Sequence, residues 1–144
     1  MENKKLDNLD LEWVNCASGD GTWYANSANN HFLDIVSNIT NTNKMNFLDI
    51  GCGKGGVIFL ASDIFNNAIG VERNKKCYEV CLDNLKELKN CKIYNLDAND
   101  FNDYENIDFV YMYNPFGNKT MKSVLDNINK SRINKPRDIL ILYK

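Results

Sequence analysis

The stretch that most restricts the fold is Asp49–Gly56, Asp-Ile-Gly-Cys-Gly-Lys-Gly-Gly, which closes the apolar run Met-Asn-Phe-Leu and opens the apolar segment Gly-Val-Ile-Phe-Leu-Ala. Gly51, Gly53 and Gly56 fall in the spacing G-x-G-x-x-G. A buried strand, a tight turn and a helix in immediate succession begin a βαβ unit.

The rest of the chain repeats that alternation. Phe32, Ile35, Val36 and Ile39 recur at helical spacing from Asn30, and the polar cluster Asn41 to Lys44 ends that helix. Met-Asn-Phe-Leu-Asp-Ile is the first strand and the helix after the glycines runs on through Gly-Val-Ile-Phe-Leu-Ala-Ser-Asp-Ile-Phe. Asn-Ala-Ile-Gly-Val-Glu is a second strand, and Lys75 to Lys89 a second amphipathic helix with Cys77, Tyr78, Cys81, Leu82, Leu85 and Leu88 on one side. Lys-Ile-Tyr-Asn-Leu-Asp and Asp-Phe-Val-Tyr-Met-Tyr-Asn are the third and fourth strands. Pro115 and Gly117 break the chain before a helix marked by Met121, Val124, Leu125 and Ile128, and Asp-Ile-Leu-Ile-Leu-Tyr is the fifth strand. Such alternation specifies an α/β domain with a mainly parallel sheet and right-handed crossovers. Residues 1–20 read as a loosely held polar arm and residues 21–144 as the folded domain.

Composition narrows the class without choosing a function. At 144 residues the chain is one domain's length, enough to bury about two-thirds of its unfolded surface. With 44% hydrophobic and 25% charged residues it is ordinary globular protein, and no apolar stretch approaches a membrane span. A net charge of -2 supplies no global field for a nucleic acid, leaving only the local cluster Lys75, Lys76, Lys86 and Lys89. The 5 cysteines, Cys16, Cys52, Cys77, Cys81 and Cys91, are odd in number and form no C-x-x-C. They predict reduced, apolar thiols and a cytoplasmic protein. Cys77 and Cys81 lie one helical turn apart, but the lone histidine, His31, is distant in sequence, so no metal site is expected. With 24 asparagines in the chain, an asparagine carries meaning only through its place.

The charge of the glycine turn is the first chemical clue. Dinucleotide enzymes seat a diphosphate on such a turn, but Asp49 stands two residues before Gly51. A carboxylate there repels diphosphate and welcomes an ammonium or a sulfonium, which favours S-adenosylmethionine (SAM) over NAD. The plainer role for Asp49 is a cap on the following turn. Glu72 ends the second strand, where a carboxylate accepts ribose hydroxyls in either kind of nucleoside site. Asp97 ends the third strand and is placed to accept the adenine amino group; Asp100 competes for that role, and a solvated loop acid is the plain alternative.

Taken in order, Leu-Asp-Ile-Gly-Cys-Gly-Lys-Gly, Gly-Val-Glu, Leu-Asp-Ala and Tyr-Asn-Pro-Phe-Gly resemble the class I SAM-dependent methyltransferase family from about Gly21 to Tyr143. The resemblance is to a small bacterial branch with a G-x-x-Y segment upstream and Asn-Pro-Phe after the fourth strand, distantly similar to the non-SET histone-lysine methyltransferases. It implies a Rossmann-like doubly wound sheet of strand order 3-2-1-4-5, here without the family's usual C-terminal β-hairpin. It also implies that Gly51, Gly53 and Gly55, with Cys52 in the same loop, meet the methionine part of SAM, Asp49 its ammonium, Glu72 the ribose and Asp97 the adenine. Upstream, Tyr24 and Ser27 of Gly-Thr-Trp-Tyr-Ala-Asn-Ser match the family's Tyr-x-Pro-Ser/Thr segment, with Ala25 and Asn26 replacing the usual neighbours.

The turn after the fourth strand carries the expected chemistry of transfer. Methyl transfer is an in-line displacement that needs a neutral nucleophile held close to the methyl carbon. Asn114 can orient a nitrogen through its side-chain oxygen, Pro115 fixes the turn, and Phe116 can stack on a flat acceptor or wall an amine with Tyr111 or Tyr113. A turn asparagine before proline is the plainer role for Asn114. The single proline departs from the Asn-Pro-Pro-Tyr/Phe of adenine and glutamine N-methyltransferases. The leading expectation is N-methyl transfer from SAM, leaving S-adenosylhomocysteine, to a protein lysine ahead of small amines or RNA. A SAM-binding module without activity and an NAD-dependent oxidoreductase are the alternatives. The apolar fifth strand at a sheet edge predicts a partner there, a second copy of the chain among the candidates.

Overall fold

A computed structural model describes residues 6–12, 28 and 30–144. Its elements are α1 (Asn30–Ser37), β1 (Asn46–Ile50), α2 (Gly56–Ala61), β2 (Asn67–Val71), α3 (Lys75–Leu85), β3 (Cys91–Tyr94), β4 (Phe109–Met112), α4 (Asn118–Asn134) and β5 (Leu140–Tyr143). The strands form one parallel sheet in the order β3-β2-β1-β4-β5. This is the expected doubly wound, Rossmann-like order, with the switch between β1 and β4.

Helices cover both faces, so the central strands are apolar on both sides rather than alternating. Phe47, Phe109 and Tyr111 face α1 and α2, where Phe32, Val36, Val57, Ile58 and Ala61 complete one core. Leu48, Ile50, Val110 and Met112 face α4, closed by Val124 and Ile128 with Phe101, Tyr104 and Ile107 from the segment before β4. The alternation along β4 thus separates Tyr111 from Met112 as the pattern predicts. Arg137 anchors the entry to β5, donating to the carbonyl oxygens of Ile107, Tyr104, Ser131 and Lys135 and to the Ser131 hydroxyl.

Several expected boundaries move inward. The third strand stops at Tyr94 instead of Asp97, because the Asn95 side chain donates to the carbonyls of Glu72 and Arg73 at 2.8 and 3.0 Å and turns the chain across the end of β2. On α3, Cys77, Cys81 and Leu85 are buried, while Leu82 turns outward. The N-terminal segment is also not a loose arm throughout: Leu6 packs on the first core, and Asp10 bonds to both the glycine loop and α3. Cys52, Cys81 and Cys91 are free thiols, but Cys77 is disulfide-bonded, contrary to the expectation of five reduced thiols. Spacing along a chain does not show a sulfur brought close by folding. No helix among the described residues is long and apolar enough to cross a membrane.

Candidate functional site

Gly51, Gly53 and Gly55 all adopt left-handed backbone, with φ of 85°, 55° and 85°, a conformation that costs other residues roughly 1–2 kcal/mol. Two of them also make room. A Cβ on Gly51 would stand 2.7 Å from Pro115 Cβ, and one on Gly55 2.6 Å from Cys81 Sγ. The first contact presses the glycine loop against the Asn-Pro-Phe turn; the second lets α2 begin directly over α3.

The loop spends its amides on the protein. Gly51 and Cys52 N–H both donate to the Val71 carbonyl, at 2.8 and 3.1 Å, and Gly55 N–H donates to the Cys52 carbonyl at 2.9 Å. Gly53 N–H donates to Glu72 Oε2 at 2.8 Å. An anion cradle needs such donors turned toward the ligand, and these four are already engaged. Cys52 folds its sulfur beneath the loop, where a Cβ on Gly70 would meet it at 2.7 Å. Its hydrogen bond with Cys81 and its burial hold the thiol well above the usual range, so it stays neutral.

Three carboxylates line the strand ends in three different states. Asp49, 3% exposed, lies in register between Gly70 of β2 and Tyr111 of β4. Burial first, then repulsion from Glu72, raise its pKa well above the ordinary value, and among the described residues no bond offsets either. Glu72 is raised mainly by burial, but its oxygens accept from Gly53 N–H and, at 2.7 Å, from Asn74 N–H. It clamps the glycine loop to the start of α3. Asp97 is lowered, first by the 2.9 Å bond from Asn99 N–H, and pairs with Arg73 at 3.4 Å. It caps its own turn near the end of β2, with Asp100 exposed one turn further out.

The chain leaves β4 through Tyr113 into Asn114, whose φ of 37° is left-handed and unusual before a proline. Asn114 N–H donates to the Lys144 carbonyl at 2.8 Å, tying the turn to the end of β5. Asn114 is exposed and Pro115 half-buried, and Phe116 is half-buried against the α4-side core. Tyr111 belongs to the other core, its ring edge-on to Phe32 at 5.5 Å. A cavity of about 260 Å³ opens between α1 and the ends of β4 and β5, walled by aromatic Phe32, Tyr111, Tyr113 and Tyr143. His31 also lines it, so the histidine that is distant in sequence shares a cavity wall with Tyr111 and Tyr113.

The fold thus gathers Asp49, Gly51, Cys52, Gly53, Gly55, Glu72 and Asp97 along the ends of β1, β2 and β3, and sets Pro115 against Gly51 of that loop, with Asn114 and Phe116 flanking it in the chain. Tyr24 and Ser27 lie outside the described residues. Sequence reasoning missed Lys54, Asp10 and Asn84. Lys54 is buried within the glycine loop, and its Nζ lies 2.7 Å from Asp10 Oδ1. A lysine between glycines was a visible signal; its partner, 44 residues away, was not. Arg73, beside Glu72, was missed too.

A family profile described as a methyltransferase domain matches residues 41–142. No curated protein matches in sequence. Among solved structures, phosphoethanolamine N-methyltransferase 1 of Haemonchus contortus, in complex with phosphoethanolamine and S-adenosylhomocysteine, is 16% identical with a TM-score of 0.62 over 76% of this chain and 24% of that one. The YcgJ protein of Bacillus subtilis is 19% identical, TM-score 0.62, over 80% and 50%. A Pyrococcus horikoshii protein put forward as an RNA methyltransferase is 25% identical, TM-score 0.57, over 68% and 52%. This chain therefore spans from about a quarter to about half the length of those structures. The profile, covering residues 41–142 from just before β1 into β5, establishes the kinship: the chain belongs to the methyltransferase domain family.

Proposed function

We propose that the protein binds SAM at the glycine loop and transfers its methyl group to an amine nitrogen held at the Asn114 turn. The observation that carries this reading is Asp49: a carboxylate buried at the end of the central strand, pushed up by burial and by Glu72 and compensated by no described neighbour. Such a group seeks a cation. With four loop amides already engaged, the loop has the wrong polarity for a diphosphate, which argues against NAD.

The residues present suit SAM, which supplies an electrophilic methyl on a sulfonium. Asp49 would take the ammonium side, the left-handed glycines bring the backbone close, and Glu72 and Asp97 stand where ribose and adenine would lie. Asn114, turned outward in a strained conformation, would orient the acceptor nitrogen through its side-chain oxygen. Pro115, packed on Gly51, keeps that oxygen in register with the loop, and Phe116 walls the acceptor. Protein lysine is the acceptor class we favour, by analogy with the non-SET histone-lysine methyltransferases, ahead of small amines and RNA.

Titration calorimetry with SAM, S-adenosylhomocysteine and NAD tests the cofactor, and NAD binding alone would refute it. Asn114→Ala is expected to keep SAM affinity and lose at least about a hundredfold in transfer of labelled methyl to lysate proteins; unchanged turnover removes Asn114 from the mechanism. SAM binding with no transfer to any lysate component would instead mark a binding module. We also read the outer edge of β5 as a surface for a second copy of the chain.

A further inference from the structure

The cavity between α1 and the ends of β4 and β5 stands apart from the glycine loop, since among the described residues none of 49–56 lines it. Its floor is apolar and preformed. Phe32 and Tyr111, both buried, meet edge-on with ring centroids 5.5 Å apart, and Ile35 of α1 and Leu142 of β5 complete the wall. The rim is held by backbone. Met112 pairs with Tyr143 across the two strands, Lys144 N–H donates to the Met112 carbonyl at 3.0 Å, and Asn114 N–H donates to the Lys144 carbonyl at 2.8 Å. Exposed Tyr113, Tyr143 and Lys144 are thereby fixed around the opening.

Size and charge restrict what fits. The volume of about 260 Å³ exceeds the roughly 150 Å³ that holds a single benzene and falls short of the ~300 Å³ at which pockets for drug-sized molecules begin, so one ring or two fused rings fill it. Aromatic walls favour a flat ring over an aliphatic one of equal area, through offset stacking and edge-on contact. The charge at the rim is positive. Lys144 Nζ lies 5.6 Å from the Tyr113 ring centroid, His31 adds an imidazole, and no carboxylate side chain lines the cavity among the described residues. That combination attracts an anion and repels an ammonium.

We propose that this cavity is a binding site for a small planar aromatic acid, its ring against Phe32, Tyr111 and Tyr113 and its carboxylate toward Lys144 at the mouth. The site goes beyond the SAM reading and does not rest on it. Its rim is nevertheless joined to the Asn114 turn, through Tyr113 in the chain and through the bond from Asn114 N–H to the Lys144 carbonyl.

The test is calorimetry on the full chain without SAM, with 2-naphthoate as the probe and three companions that each change one feature. 2-Naphthamide lacks the charge, the fully saturated decalin-2-carboxylate lacks the aromatic face, and 2-naphthylmethylamine reverses the charge. Naphthoate is expected to bind about fivefold tighter than the amide and the saturated acid, and the amine weakest of all. Lys144→Gln, at an exposed position, is expected to lower naphthoate affinity about fivefold, the upper range for an exposed ion pair, and to leave the amide unchanged. Ile35→Trp, which fills the cavity from α1, is expected to abolish binding, whereas Ile141→Lys, outside the cavity, retains it. No naphthoate binding, an amine that binds as well as the acid, or an unchanged naphthoate affinity in Lys144→Gln overturns the proposal, and all three leave the cofactor reading untouched. Displacement of naphthoate by SAM overturns it as well, by making the cavity part of the cofactor site.

Discussion

The ends of β1 and β2 and the ends of β4 and β5 face the same side of the sheet, yet they are finished in opposite ways. On the first pair the loop closes on itself: amides meet the Val71 carbonyl and Glu72, and Asp49 and Cys52 are buried. On the second pair Tyr113, Ile141 and Tyr143 are 37%, 43% and 54% exposed, and Asn114 holds a strained turn in the open. A closed region has its ligand chemistry dictated from within, by backbone and buried charge. An open one is completed by whatever arrives, which is why the ends of β1 and β2 support a sharper proposal for their ligand than the ends of β4 and β5.

The junction of the two regions is where the comparison breaks most easily. Gly51→Ala forces a left-handed alanine and drives its Cβ to within 2.7 Å of Pro115. The conformational cost of about 1–2 kcal/mol and overpacking of about 1–3 kcal/mol predict a loss of about 2–5 kcal/mol in denaturant unfolding, with both loop and turn disturbed. Gly117→Ala is the control. Gly117 has ordinary backbone, φ of -74°, and nothing within 4 Å of a new Cβ, so its stability should be unchanged. Equal effects at the two sites would mean that the loop and the turn are not in contact.

Asp49→Asn sharpens the contrast by separating stability from binding. The folded pKa of Asp49 is raised above its unfolded value, so between those two values the folded state holds the extra proton. Its stabilising contribution is complete below the unfolded pKa and is lost as pH rises through the folded one. Removing the carboxylate should make the ligand-free protein more stable than the parent at neutral pH and flatten the pH slope of its thermal midpoint. Glu72, also raised, leaves a residual slope of the same sign. SAM affinity should fall at least about tenfold with the ion pair gone. A variant that binds SAM normally would remove Asp49 from the site.

The same division decides what the sequence disclosed. The strand–helix alternation and the glycine loop were legible because each is local: an apolar run, a turn residue, a helix period; the strand order 3-2-1-4-5 came from the family resemblance alone, since pairing between distant strands leaves no local signal. Glu72, read as the last residue of the second strand, stands one residue beyond β2, and its two backbone bonds to Gly53 and Asn74 belong to the folded chain alone. Asp97 looked like the end of a strand because Leu96 precedes it; Asn95, bonding to Glu72 and Arg73 carbonyls, ends the pairing earlier. The docking of Asp10 onto Lys54 left no trace in the sequence, since a polar segment of two aspartates and three leucines reads the same whether tied or loose.

The smallest expected effect concerns the two edges of the sheet. β3 carries Lys92 on its edge, with its ammonium 4.7 Å from the Tyr94 ring, the sort of charge that discourages strand addition. β5 carries Leu140, Ile141 and Tyr143, all exposed, and pairs with β4 alone among the described strands. The β4–β5 end is therefore open along its backbone as well as at its turn. Light scattering should show the parent chain self-associating as concentration rises, and Ile141→Lys should hold it monomeric. Because Ile141 is 43% exposed, the variant should change unfolding stability by no more than about 0.5 kcal/mol. A parent chain that stays monomeric at the highest concentrations would leave that edge to some other strand, and a variant that still associates would move the contact elsewhere on the surface.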